Sequence, residues 1–267
     1  MPGLDWLIAR PVAHRGLHDA QNGVVENTPS AFAAAVAGRY AIECDLQISA
    51  DGEAMVFHDD TLERLTEGHG RLDAMTAAEL KRLSFKATAD RMVSLGELCE
   101  FVAGRATLVI ELKSRFDGDR RLAARAGKVL AGYRGPAAAM SFDGEQVAAL
   151  RAIAPEVTRG LVADGGRRGR DRPAAAATHA LATQVGLTRL AHYMFAQPGQ
   201  ARVAVGHALR AHPQFIAYSV TDLPAALPMM ARKLLGLPLL AWTVRSAAER
   251  KTADRYADQM IFEGFRP

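Results

Sequence analysis

His14-Arg15-Gly16, Glu43-x-Asp45, His58-Asp59 and Glu111-x-Lys113 place two imidazoles, a guanidinium, an ammonium and a set of carboxylates in the first 113 residues of a 267-residue chain. Three carboxylates brought together repel and raise one another's pKa unless a cation neutralises them. Hard divalent ions take oxygen ligands, so Glu43, Asp45 and Glu111 read as a site for one divalent cation, Mg²⁺ or Ca²⁺, with water completing its shell. Arg15 and Lys113 beside them suit a negatively charged substrate, phosphate above all. His14 and His58 titrate near neutral pH and supply a general base and a general acid. The chemistry implied is phosphoryl-ester cleavage, in which the ion polarises a non-bridging oxygen and lowers the pKa of a bound hydroxyl or water. Taken singly, each pair has a plain structural explanation: a lone Glu-x-Asp in a strand is more often an ion-paired feature of the framework. The weight lies in all four pairs falling at strand ends.

The strands in question are short apolar runs rich in β-branched residues, at 11–16, 41–47, 55–59, 107–113, 137–142, 159–164, 215–220, 238–244 and 259–263. Segments of helical period separate most of them, at 30–38, 77–83, 95–102, 120–131, 144–153 and 223–235. Strand alternating with helix implies a parallel sheet with helical crossovers. Thr28 before Pro29 reads as an N-cap with proline at the first helical position, and Thr76 with Glu79 reads as a capping box. Gly38, Gly104 and Gly132 stand where helix C-termini favour a residue that tolerates positive φ. The link from Leu46 to Met55 is too short for a crossover helix and contains the turn signal Asp51-Gly52, so the second and third runs form a hairpin or an irregular return. Nine runs for the eight places of an α/β barrel require that one is not a barrel strand. In such a barrel the carboxyl ends of the strands converge on one face. Side chains alternate across a strand, so Glu43 and Asp45 share one face, Glu111 and Lys113 share one face, and Cys44 and Leu112 turn outward to the helices.

Composition narrows the class. With 49% hydrophobic, 23% charged and 6% aromatic residues the chain is an ordinary globular protein, which excludes disordered, collagenous and coiled-coil classes. The formal charge of +4 is mild and its basic residues are scattered, without the concentrated basic and aromatic stretches that track a polymer, so nucleic acid is not an expected partner. Cys44 and Cys99 form neither a metal motif nor a disulfide framework, and fit a reducing compartment. No run of about 18 apolar residues occurs, so no transmembrane segment is expected, and a cytoplasmic location is the default. No repeat or linker divides the chain, and 1–267 reads as one barrel domain. The glycine- and arginine-rich segment 164–173 reads as a solvated surface loop, with a rim attracting an anionic headgroup as the sharper alternative.

The ordered set His14-Arg15-Gly16, Glu26-Asn27-Thr28, Glu43-x-Asp45, Asp51-Gly52, Val56-Phe57-His58-Asp59-x-Thr61-Leu62-x-Arg64, Glu111-x-Lys113, Ser141-Phe142 and Trp242-Thr243 resembles the glycerophosphodiester phosphodiesterase family, over about residues 11 to 264. The resemblance implies a single TIM-type (β/α)8 barrel, hydrolysis of a small-molecule glycerophosphodiester to glycerol 3-phosphate and an alcohol, and dependence on a divalent cation. By the same resemblance His14 and His58 match the acid/base pair, in either order; Glu43, Asp45 and Glu111 match the metal ligands; and Arg15 and Lys113 match the phosphate contacts. Asn27 matches a polar residue near the same site, and Trp242 part of the wall on which the glycerol or the leaving group rests. Alternatives are a hydrolase of lysophospholipid or another phosphodiester lipid, with 193–195 and 234–240 as apolar candidates for its groove, and an inactive barrel that binds a phosphate ligand.

The chain departs from the family at its last strand. Where members carry Thr-Asp near a proline, it reads Phe262-Glu263-Gly264-Phe265-Arg266-Pro267, so that Glu263 stands in for the aspartate and Phe262 replaces a hydroxyl. His18-Asp19 is not clearly a family position and reads as polar loop surface, with a substrate contact as the alternative.

Overall fold

The computed structural model describes residues 3–165 and 210–267. The segment 164–173 from residue 166 onward, and residues 193–195, lie outside them. Among the described residues all nine expected runs are strands: β1 (Val12–Ala13), β2 (Ala41–Ile48), β3 (Ala54–Val56), β4 (Leu108–Leu112), β5 (Ala137–Ser141), β6 (Thr158–Ala163), β7 (Phe215–Ser219), β8 (Leu239–Val244) and β9 (Gln259–Phe262). Eight of them pair in parallel in the order β1-β9-β8-β7-β6-β5-β4-β2, and β1 pairs with β2 as well, which closes a TIM-type barrel. The ninth, β3, lies antiparallel on β2 with Leu46 opposite Val56, as the short Asp51-Gly52 link requires. Gly52 sits at φ +83° and its N–H donates to the Ser49 carbonyl at 3.0 Å.

Strand alternation divides the core into two layers. Ile42, Cys44, Leu46, Leu108, Ile110 and Leu112 point outward into the cluster shared with the helices. Ala41, Val109, Ala138, Met140, Val162, Phe215, Ala217, Leu240 and Ile261 point inward and fill the barrel. Gly160, paired with Phe215, leaves room for the Phe215 ring, since a Cβ at 160 would collide with its Cζ. A four-residue helix, α1 (Asp5–Ile8), closes the amino-terminal end of the barrel. Its Leu7 is wholly buried with the inward residues, a burial worth about 1.5–3 kcal/mol relative to exposure. The Thr107 hydroxyl and the Gln259 amide tie α1 down by donating to the Trp6 and Ile8 carbonyls.

Among the described residues the crossover helices are α2 (Pro29–Ala37), α3 (Ala77–Arg82), α4 (Leu95–Val102), α5 (Arg121–Ala131), α6 (Gly144–Ile153), α7 (Ala226–Leu235) and α8 (Ala247–Tyr256). The Thr76–Glu79 capping box is present at α3, and a second, Ser94–Glu97, starts α4. Two expectations are corrected. Thr28 is the residue before Pro29 at the start of α2, yet its hydroxyl donates back to the Val25 carbonyl at 2.7 Å instead of capping. Of the three C-terminal glycines only Gly104 has positive φ; Gly38 and Gly132 stay right-handed, and after α2 the left-handed residue is Arg39. Helix α8 escapes the apolar-period criterion because Ala253 is its sole buried residue.

Between β3 and α4 the chain makes an excursion with its own small core of Met55, Phe57, Leu62, Leu72, Leu80, Phe85 and Met92, to which Val25 is added from the β1–α2 loop. This satellite core fixes the segment that carries His58, Asp59 and Arg64 against the loop that carries Glu26 and Asn27.

Candidate active site

Glu43 and Asp45 lie on the inward face of β2, and Glu111 sits opposite Asp45 on β4. One carboxylate oxygen from each of the three lies within 4.8 Å of the other two, so Glu43, Asp45 and Glu111 form an acidic group that could hold a metal ion. Glu43 and Asp45 are both 1% exposed, and their environments push them apart. Burial, with Asp45 and Glu111 adding to it, holds the Glu43 carboxyl well above the usual range; its main compensation is the Arg15 backbone N–H, which donates to Glu43 Oε2 at 2.8 Å. Burial works the same way on Asp45, but Lys113, His58, Arg15 and His14 overcome it and hold that carboxyl far below its ordinary value. Lys113 Nζ lies 2.8 Å from Asp45 Oδ1 and 2.8 Å from Glu111 Oε1, and these two carboxylates keep the buried ammonium charged against its burial. Three carboxyl groups outnumber the two cations beside them and the donor set is all oxygen, so the residues fit a hard divalent ion.

The loop after β1 shapes the other side. The His14 backbone N–H donates to the Phe262 carbonyl of β9 at 2.9 Å. Arg15 and Asn27 both adopt left-handed backbone, at φ 56° and 57°, and the Asn27 N–H donates to the Arg15 carbonyl at 2.9 Å. Such conformations cost of order 1–3 kcal/mol each and persist where the surroundings enforce them, commonly at functional sites. Gly16 follows at φ +78°, and a Cβ there would lie 2.8 Å from Ala31 Cβ and 2.9 Å from the Ala31 carbonyl carbon. The His-Arg-Gly order is thus a folding requirement as well as a chemical one. Asn27 is buried with both ends of its amide on Asp45: its Nδ2 donates to Asp45 Oδ2 at 2.9 Å, and its Oδ1 accepts from the Asp45 backbone N–H at 3.3 Å. Arg15 Nε lies 3.3 Å from Asp45 Oδ2.

The two histidines reach this cluster by different routes. His14 follows β1 directly. His58 follows β3, which runs against the barrel strands, so it does not stand at an upward strand end as the sequence pattern suggested; it returns along β2, with the Phe57 N–H on the Asp45 carbonyl at 3.0 Å and the Gln47 amide on the His58 carbonyl at 3.1 Å. Each imidazole has a carboxylate on Nδ1, and each carboxylate has an arginine. His14 Nδ1 is 2.5 Å from Glu263 Oε2, which Arg245 Nη2 also reaches at 2.9 Å. His58 Nδ1 is 2.6 Å from Asp59 Oδ1, and Arg64 Nε is 2.5 Å from Asp59 Oδ2. A carboxylate on Nδ1 favours the Nδ1–H tautomer and leaves Nε2 as the atom that exchanges protons. His14 Nε2 lies 3.9 Å from Glu43 Oε2. Burial lowers the His14 pKa, with Glu263 opposing it. Burial also works to raise Glu263, but His14 and Arg245 bring it down to about 2.

All seven charged or titratable candidates come together: His14, Arg15, Glu43, Asp45, His58, Glu111 and Lys113. Cys44 points away into the outer core. Trp242 packs edge to face on Phe142, ring centroids 5.4 Å apart, against the inward cluster, with its Nε1–H buried and unpartnered. Glu26, Arg64, Arg245 and Glu263 were not among the candidates; the motifs contain the first two, and the atypical last strand contains Glu263. His18, expected on the surface, is half-buried with Nε2 enclosed, while Asp19 is exposed.

The sequence profile of the glycerophosphoryl diester phosphodiesterase family matches residues 14–264. A glycerophosphodiester phosphodiesterase of Caldanaerobacter subterraneus subsp. tengcongensis is 39% identical over 111 residues, 39% of this chain and 44% of that protein. Glycerophosphodiester phosphodiesterase 1 of Bos taurus is 41% identical over 75 residues, 27% of this chain and 22% of that protein. The match therefore spans less than half the length of these curated relatives. Among solved structures, an Oleispira antarctica phosphodiesterase in complex with sn-glycerol-3-phosphate superposes with a TM-score of 0.70 at 20% identity, over 94% of this chain and 91% of that one. A glycerophosphodiester phosphodiesterase from Agrobacterium tumefaciens superposes with a TM-score of 0.63 at 24% identity, over 94% and 95%. With its motifs in order along a closed barrel and a profile match that runs from His14 to Gly264, the chain belongs to the glycerophosphoryl diester phosphodiesterase family.

Proposed function

We propose that this protein hydrolyses glycerophosphodiesters to glycerol 3-phosphate and an alcohol, with a divalent cation held by Glu43, Asp45 and Glu111. The observation that carries the reading is the meeting of three carboxylates within 4.8 Å with two histidines, each tethered at Nδ1 by a carboxylate. Held there, Mg²⁺ or Ca²⁺ would supply positive charge toward the phosphate and make the attacking group more acidic. Arg15 and Lys113 take the remaining phosphate charge. One histidine accepts at Nε2 the proton of the attacking group, either water or the glycerol 2-hydroxyl with water then opening the cyclic phosphate, and the other donates a proton from Nε2 to the departing alkoxide. Asn27 keeps Asp45 in place beside the phosphate, and Trp242 with Phe142 forms the apolar wall for the glycerol or the leaving group. Two free buried cysteines suit the reducing cytoplasm, and no helix among the described residues is long and apolar enough to cross a membrane.

The test is release of glycerol 3-phosphate from glycerophosphocholine and glycerophosphoethanolamine, with EDTA followed by Mg²⁺ or Ca²⁺, beside Glu43→Ala. Metal-restored release that the variant lacks is expected. Folded protein with no release would move the reading to another phosphodiester, and failure to bind metal as well would favour a ligand-binding barrel.

A further inference from the structure

A continuous chain of ion pairs joins a candidate phosphate contact to a candidate catalytic histidine, and its middle member lies outside the site. Arg15 Nη1 donates to Glu26 Oε1 at 2.7 Å. Arg64 grips the same carboxylate with two nitrogens, Nη2 on Oε1 at 2.7 Å and Nη1 on Oε2 at 3.0 Å. The adjacent edge of the Arg64 guanidinium, which shares Nη2, takes Asp59, Nε on Oδ2 at 2.5 Å and Nη2 on Oδ1 at 3.0 Å. Asp59 Oδ1 then lies 2.6 Å from His58 Nδ1. Arg64 is 47% exposed at its side chain, and an exposed ion pair by itself is worth at most about 1 kcal/mol. Stability does not account for a guanidinium that uses all three nitrogens on two carboxylates. Both carboxylates already serve a residue facing the cluster, and only the planar fork of arginine spans the two at once.

We propose that Arg64 is a positioning residue that holds Arg15 and His58 in one register through Glu26 and Asp59. The inference rests on the roles proposed above for Arg15 and His58. The hydrogen bonds of the Arg64 guanidinium go to Glu26 and Asp59, not to Glu43, Asp45 or Glu111. Its own backbone is fixed by the satellite core, with Leu62 fully buried two residues before it and the Thr66 hydroxyl on the Leu62 carbonyl. A rigid segment on one side and the strained Arg15–Asn27 loop on the other are thereby locked together. The function is geometric: phosphate seated on Arg15 keeps its distance from the histidine that exchanges a proton with it, and small misplacements of such groups are costly in rate.

The experiment is steady-state hydrolysis of glycerophosphocholine with metal by Arg64→Met, Arg64→Lys, Glu26→Gln, Asp59→Asn and the Glu26→Gln/Asp59→Asn pair, the last three also in the Arg64→Met background. His58→Ala and Arg15→Ala run alongside. Arg64→Met is expected to lower kcat about 10-fold with an unchanged thermal midpoint. Arg64→Lys recovers part of the loss, since one ammonium satisfies one carboxylate. Glu26→Gln and Asp59→Asn are non-additive with Arg64 present and additive without it. Nitrogen-15 spectra of the His58 ring read the same coupling without turnover: a fixed Nδ1–H tautomer in the parent becomes a mixture in Arg64→Met. Unchanged kcat, KM and ring signals in Arg64→Met, with His58→Ala and Arg15→Ala inactive, overturn the coupling alone. Near-full activity of His58→Ala or Arg15→Ala overturns the underlying reading and the coupling with it.

Discussion

His14 Nδ1 and Glu263 Oε2 stand 2.5 Å apart across the seam where the first barrel strand meets the last, 249 residues away along the chain. The contact fixes the tautomer of His14 and places its Nε2 toward Glu43. Glu263→Gln keeps the size of the side chain and removes the charge. It is expected to reduce kcat by about 100-fold or more, the scale on which a general acid or base contributes, while Glu263→Asp, one methylene shorter, recovers part. Equal kcat in parent and Glu263→Gln would detach Glu263 from the reaction.

The same contact has a pH signature in folding. The Glu263 carboxyl is held at about 2, below its ordinary 4.5. A depressed carboxylate contributes stability that is present above 4.5 and is lost as pH falls toward 2. The urea midpoint of the parent should therefore fall more steeply between pH 4.5 and 2 than that of Glu263→Gln. Parallel curves would refute the assignment.

Asn27 commits both ends of its amide to Asp45. Groups that orient a metal ligand typically change metal affinity by about 10–100-fold when removed. Asn27→Ala should weaken Mg²⁺ or Ca²⁺ binding by that factor in a calorimetric titration, and an unaltered affinity would show that Asp45 holds its orientation without the amide.

Gly16 has neither the backbone nor the space for a side chain. Gly16→Ala adds a methyl against Ala31 in a left-handed conformation and should cost about 1–3 kcal/mol of stability, read by urea unfolding, together with activity lost through displacement of Arg15. A variant as stable as the parent would mean that the loop relaxes freely.

The barrel was legible because each strand is a short, mostly apolar run between helical segments and each buried carboxylate keeps the two-residue alternation of its strand. Glu43, Asp45, Glu111 and Lys113 could be placed on one face from that alone, and the Asp51-Gly52 turn announced the hairpin. The route of His58 was not legible, because a hairpin reverses the strand that carries it. Thr28 offers a capping residue in the capping position, and only the fold shows that the Val25 carbonyl claims its hydroxyl. Glu263 and Arg245 meet His14 through a pairing of strands that no local pattern encodes, and of the two carboxylates on Arg64 the nearby Asp59 stands in the same motif while Glu26 comes from a loop 38 residues away.

The pairing of β1 with β9 also orders events during synthesis. The chain is made from its amino terminus, so β1 emerges first, with His14 at its end, and one of its edges stays open until residues 259–262 arrive. An open strand edge is a template for wrong partners. The strand that ends this exposure is the one that leads into Glu263, so the act that seals the barrel also arms its first histidine. A ribosome stalled before β9 would carry Glu43, Asp45, Glu111, both imidazoles and most of the core, yet the His14 ring would still lack the carboxylate that orients it.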